Sequence, residues 1–168
     1  REMRELDDLD VTVSVEDEAA AKRIHGETVD RYEEYDESPS VSRSFLTALL
    51  DAVDEDRWRA YVARDADGAY LSGIVVLYGP DLAYYWQGGV ATSHEGVSVN
   101  SLLHRAILED LYADPAFDTI TGYDLVGANT ERLSEYKAKF NGDLRSYYVV
   151  ESSGVEMDLA KAAYQRFS

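Results

Sequence analysis

Residues 122–150 read GYDLVGANTERLSEYKAKFNGDLRSYYVV, two strand-like runs on either side of a short helix. Residues 119–126 are rich in β-formers, and Gly127 and Asn129 then supply a glycine and an asparagine that can open a helix. About ten helical residues follow, carrying Tyr136 and Lys137, and Asn141-Gly142 offers a left-handed stop. Residues 144–150 return to strand composition. Positive charge also gathers here. Lys137 and Lys139 are two of the chain's four lysines, and residues 131–145 hold four basic and three acidic side chains in a molecule of net charge −17.

A length of 168 residues suits one domain, 1–168, with a sizeable core, and 45% hydrophobic with 11% aromatic residues marks it as globular. No apolar run approaches the roughly 20 residues of a membrane helix, and no signal peptide opens the sequence. Without cysteine there are no disulfides, thiolate metal sites or cysteine nucleophile. The chain opens on Arg1, and 1–10 is a polar lead-in, which suggests processing or a domain cut from a longer protein. Thirty-three acidic residues against sixteen basic ones repel nucleic-acid backbones and anionic lipid, which argues against bulk nucleic-acid binding and membrane association. The acids are dispersed, and arginine outnumbers lysine twelve to four. Such a surface resembles that of cytoplasmic proteins from salt-accumulating haloarchaea, where dense carboxylates stay hydrated and their repulsion is screened. The alternative is an acidic protein of an ordinary-salt cell.

Outward from the opening stretch, the pattern gives an α/β (α+β) order. Residues 11–15, VTVSV, alternate as a strand, and Ala20, Ile24, Thr28 and Tyr32 share one face of a helix over 17–35. Ser38-Pro39-Ser40 breaks the chain. Phe45, Leu46, Leu49, Leu50 and Val53 stripe a second helix. Three antiparallel strands follow over 57–64, 69–78 and 82–88, joined at Asp67-Gly68 and Gly79-Pro80-Asp81. Val99, Leu102, Leu103, Ala106, Ile107 and Leu111 line a third helix that Asp114-Pro115 ends. Met157, Ala160, Ala163, Tyr164 and Phe167 mark a last one. A mixed, mostly antiparallel sheet with helices on both faces buries these stripes.

This order resembles the GNAT acyltransferase fold, with motif-level similarity in the second half. Asn129, then Tyr136 seven residues on and Phe140 after it, sit as in the GNAT pattern of an asparagine followed by a helical tyrosine. Asp124, Gly127, Lys137 and Phe140 are similar to the closing motif of the FemAB/FemX-like branch, with Asn141 in place of its usual glycine. Tyr84-Tyr85-Trp86-Gln87 and Asn100-Ser101-Leu102-Leu103 resemble that branch as well. The resemblance implies transfer of an acyl or aminoacyl group to a small-molecule or peptide amine. It also implies a second GNAT-like domain or a homodimer as partner, this chain being the C-terminal half of such a pair. A non-catalytic domain that forms a cleft wall or partner interface is the alternative. Familiar GNAT domains hold CoA pyrophosphate on a glycine-rich basic loop. Here the loop is VATSHEGVSVN, with Gly96 alone and no lysine or arginine between Trp86 and His104. The expectation is therefore no tightly bound cofactor, weak acetyl-CoA binding, and a donor that is either acetyl-CoA or aminoacyl-tRNA-like.

The resemblance makes Tyr136 a general acid for the leaving group, which suits a phenol that stays protonated at neutral pH. Its alternative is a packed helix tyrosine, one of thirteen tyrosines. Lys137 offers fixed positive charge to a phosphate or oxyanion, or is a solvated helix lysine. Asp124 orients Lys137 or the amine, or caps the following turn. Tyr85 and Gln87 are candidate substrate contacts, and Ser98, Asn100, Ser101 and Asn129 candidate cofactor contacts. His25, His94 and His104 lack ligand spacing, so no metal site is expected. Ser93-His94-Glu95 matches a triad in composition only, since adjacent residues do not reach triad geometry. No P-loop or GxGxxG is present.

Overall fold

The computed structural model describes residues 9–34, 41–128 and 130–148, without the side chain of Arg132. The chain divides into two compact units, Arg1–Val126 and Gly127–Ser168.

In the first unit, β1 (Val11–Glu16), α1 (Glu18–Glu34), α2 (Arg43–Ala52), β2 (Trp58–Asp65), β3 (Tyr70–Tyr78) and β4 (Leu82–Gly88) follow one another. A two-residue hairpin, β5 (Ser93–His94) and β6 (Val97–Ser98), then leads into α3 (Val99–Ala113) and β7 (Gly122–Asp124). The main sheet runs β1-β2-β3-β4-β7, antiparallel except for the parallel β4–β7 pair. Strand alternation divides the core between its two faces. Ala60, Val62 and Val75 meet Ala21, Ile24, Leu46 and Leu50 of α1 and α2, whereas Tyr61, Ala63, Ile74 and Val76 meet Val99, Leu103 and Ile107 of α3. The α2 stripe read from the sequence turns in as expected at Leu46 and Leu50, but Phe45 is 55% exposed.

Local chemistry fixes the joints. At the β2–β3 turn Gly68 adopts φ 81°, and the Asp65 carboxylate accepts from the Asp67 and Ala69 N–H groups. Gly73 lets α1 approach β3, because a Cβ there would lie 2.6 Å from Ile24 Cδ1. The far end of α3 is pinned by Arg59, which donates to Asp110 (2.5 Å) and Asp114 (2.9 Å) and lies over the Phe117 ring. Among the described residues no helix is long and apolar enough to cross a membrane.

In the second unit α4 (Glu131–Ala138) is capped by Thr130, whose hydroxyl accepts from the Leu133 N–H, and Asn141 turns the chain with φ 55°. Of the strand expected over 119–126, β7 takes up Gly122–Asp124. Residues 144–148 carry no strand, and 149–150 lie outside the described residues, as do the expected last helix and most of the polar lead-in.

Candidate active site

β4 is gripped by β3 along its length but by β7 only at its start. Parallel pairing joins Leu82, Ala83 and Tyr84 to Gly122, Tyr123 and Asp124. Beyond that point β4 continues to Gly88, while β7 ends at Asp124 and its backbone turns at Val126, at φ 57°. Asp124 holds this turn, its carboxylate accepting from the Val126 N–H at 2.6 Å, which is the capping geometry of an aspartate before a tight turn. A wedge therefore opens between the two strands, with Tyr84 and Asp124 at its apex.

A β-bulge shapes the β4 side of the wedge. Val76 pairs with Tyr85 and Val75 with Gln87, so Trp86 is an extra residue. Such an insertion turns the following side chain to the other face of the sheet. Tyr85 consequently packs on the α3 face, and Gln87 on the face covered by α1.

On the α3 face the Tyr85 ring meets His104 edge-on, with centroids 5.1 Å apart. The Nδ1 atom of His104 lies 3.1 Å from the Tyr123 hydroxyl, and the imidazole is 1% exposed. Burial pushes the Tyr85 phenol above its usual range, and the charge of Arg31 opposes that shift. The Tyr85 hydroxyl sits where a Cβ on residue 88 would be, 1.9 Å away, so Gly88 is required for this packing.

On the α1 face, residues one helical turn apart reach the end of β4. His25 Nδ1 pairs with Gln87 Oε1 at 3.3 Å, and the Thr28 hydroxyl donates to the Gly88 carbonyl at 2.9 Å. Arg31 donates to the Gly88 and Gly89 carbonyls, both at 3.2 Å. Glu27 accepts from the Val90 N–H and the Tyr70 hydroxyl. Gln87 is thus 7% exposed and engaged with His25. Sequence reasoning missed His25, Thr28 and Arg31 as a group. Their spacing of three is visible, but their partners lie about sixty residues away.

The start of α3 is the place to test for CoA, because exposed N–H groups and the helix dipole bind pyrophosphate at such a site. Here the β5–β6 hairpin turns through Glu95 (φ 51°) and Gly96 (φ 82°), pairing Ser93 with Ser98 and His94 with Val97. The Val99 N–H donates to the Thr92 carbonyl at 3.1 Å, and the Ser101 N–H to the Ser98 hydroxyl at 3.4 Å. Asn100 Oδ1 lies 3.1 Å from the Ser72 hydroxyl, which itself donates to the Val90 carbonyl. Two of the first-turn donors thus have acceptors within the protein, and residues 87–103 contain no lysine or arginine.

The second unit carries the other candidates. Lys137 Nζ donates to the Gly127 carbonyl at 2.5 Å. The Tyr136 ring packs edge-on against Phe140 at 5.5 Å, and Lys139 Nζ lies 6.0 Å from the centre of the same ring. Asn129 lies outside the described residues. Tyr85, Gln87 and Asp124 are therefore set around the wedge of the first unit, with Ser98, Asn100 and Ser101 at the start of α3. Tyr136 and Lys137 belong to the second unit.

The same architecture recurs in solved structures. A "possible acetyltransferase" of Clostridium difficile 630 is similar at TM-score 0.65 and 13% identity, over 86% of this chain and 98% of that one. The ribosomal-protein-alanine N-acetyltransferase of Brucella melitensis biovar Abortus 2308 matches at TM-score 0.54 and 13% identity, over 85% and 99%. An acetyltransferase of Trypanosoma brucei matches at TM-score 0.51 and 13% identity, over 86% and 100%. At such identities these likenesses speak for the fold alone. No curated protein matches the chain. The model of the acetyltransferase (GNAT) domain family matches residues 1–138, which takes in the wedge, α3 and all of α4. By that match, over most of its length, the chain belongs to the GNAT acetyltransferase family.

Proposed function

We propose that this domain transfers an acyl or aminoacyl group to a small-molecule or peptide amine in the manner of the FemAB/FemX-like branch, in a salt-rich cytoplasm and beside a second GNAT-like domain or a second copy. The general reaction, acyl transfer to an amine, is that of the family. The observation that supports the finer reading is the inward use of the Val99 and Ser101 N–H groups at a helix start whose loop carries no lysine or arginine. The wedge beside β4 supports binding of an acyl group, since a strand edge offers N–H and C=O groups to an extended ligand. In this reading Lys137 supplies the fixed charge for a phosphate or oxyanion, and Tyr136 protonates the leaving group. Tyr85 lines the wedge, while Gln87 and Asp124 set its shape through His25 and the Val126 N–H.

Calorimetry with acetyl-CoA in molar KCl tests the donor. The expected result is no binding at micromolar concentration, together with amine acylation from an aminoacyl-tRNA donor. Micromolar acetyl-CoA affinity would return the chain to the ordinary acetyl-CoA-dependent class.

A further inference from the structure

An amine acceptor is an ammonium ion at neutral pH and must lose a proton before it attacks an acyl carbon. The wedge has a candidate for that proton on its α3 side. His104 is a histidine, the side chain whose ordinary pKa lies closest to neutrality, and it is held at 1% exposure by Tyr85 from β4 and Tyr123 from β7. Its Nδ1 faces a hydroxyl, 3.1 Å away. Tyr123 pairs with Ala83, one step before the wedge opens, so its phenol and the ring of Tyr85 flank the apex. The other buried histidine, His25, differs in one chemical respect. Its Nδ1 faces the amide oxygen of Gln87, which accepts a hydrogen bond but passes no proton on.

We propose that Tyr123 and His104 form a proton relay for the acceptor amine. The inference rests on the acyl-transfer reading. The ammonium gives one proton to the Tyr123 oxygen as that hydroxyl gives its own to His104 Nδ1. The products are a neutral amine, an unchanged phenol and an imidazolium, and charge is conserved. The imidazolium releases its proton to solvent before the next turnover. Tyr123 touches the amine, and His104 acts through it. The Tyr85 and Tyr123 phenols both face the imidazole, and the charge of Arg31 is felt at Tyr85 from the opposite face. The next residue, Asp124, directs its carboxylate to the Val126 N–H.

The test combines spectroscopy and a pH profile on the full chain. Nitrogen-15 NMR of the native protein is expected to find neutral His104 protonated on Nε2, with Nδ1 accepting from Tyr123 and the signal changing in Tyr123→Phe. In kinetics, the acidic limb of kcat/KM should vanish in His104→Asn, which keeps an acceptor near the Nδ1 position but takes no proton. Tyr123→Phe should lower kcat/KM roughly a hundredfold at neutral pH, the scale of general base catalysis. His25→Gln should keep the acidic limb. A native His104 protonated on Nδ1 overturns the relay even if neither variant folds. An active protein whose acidic limb survives both substitutions overturns the relay alone. A wild-type chain inactive toward every amine with either donor overturns the acyl-transfer reading and the relay with it.

Discussion

Lys137 shows how much a single side chain can be asked to do in a molecule with four lysines. Its ammonium is drawn onto the Gly127 carbonyl, across the turn that opens α4, so the charge is positioned rather than free to sweep solvent. Lys139, two residues along, lies instead over the Tyr136 ring, and side chains two apart on a helix point to different faces. If Lys137 holds a phosphate or oxyanion, Lys137→Ala removes a charge-assisted contact worth about 1.5–3 kcal/mol. Transfer should then slow about ten- to a hundredfold, at roughly 1.4 kcal/mol per decade. Lys139→Ala should leave the rate within a factor of about three, because it removes the same charge without the same placement. Steady-state rates for both variants decide the matter. Equal losses would mean diffuse attraction, and no loss from either would make α4 scaffold.

At the scale of elements, the decisive contact is between α1 and the end of β4. His25, Thr28 and Arg31 fasten three successive residues after the bulge, so the helix fixes the shape of the wedge without lining it. Thr28→Val keeps the shape of the side chain but withdraws one donor from the Gly88 carbonyl. The expected loss is about 1 kcal/mol, the net value of one buried hydrogen bond, because Arg31 still reaches that oxygen. Arg31→Met, which strips donors from both Gly88 and Gly89, should cost more, and urea unfolding of the two variants ranks them. A larger loss from Thr28→Val would mean that Arg31 contributes little to the clamp. This contact also marks the limit of what the sequence discloses. The hairpin at Asp67-Gly68 and the stripe of α3 are legible because turn chemistry and helical spacing are local. The bulge is not, since Tyr84-Tyr85-Trp86-Gln87 reads as a strand with or without an extra residue, and only the β3 register places Gln87 opposite His25. Residues 144–148 have strand composition without strand structure, so the presence of β-formers does not by itself decide a strand.

Across the whole molecule the governing quantity is the net charge of −17, spread along the sequence. Local ion pairs such as Glu16–Arg64 and Arg59 with Asp110 and Asp114 use some of the sixteen basic residues, but acids outnumber bases two to one and the remainder repel one another. Folding concentrates that repulsion, and salt relieves it as the screening length falls from about 10 Å at 0.1 M to about 3 Å at 1 M. The melting temperature should therefore rise steeply with KCl from low salt toward 1 M, then flatten once screening is shorter than the spacing between carboxylates. Salts and osmolytes can also stabilise by exclusion from the protein surface, so the comparison needs a control that separates the two effects. Sucrose supplies it: an uncharged solute should not reproduce the steep low-salt rise. Repeating the KCl series near pH 4.5, where many carboxylates are neutral, should shrink the rise further. Melting curves that are flat in KCl, or a rise of the same size at both pH values, would show that carboxylate repulsion does not limit the stability of this fold.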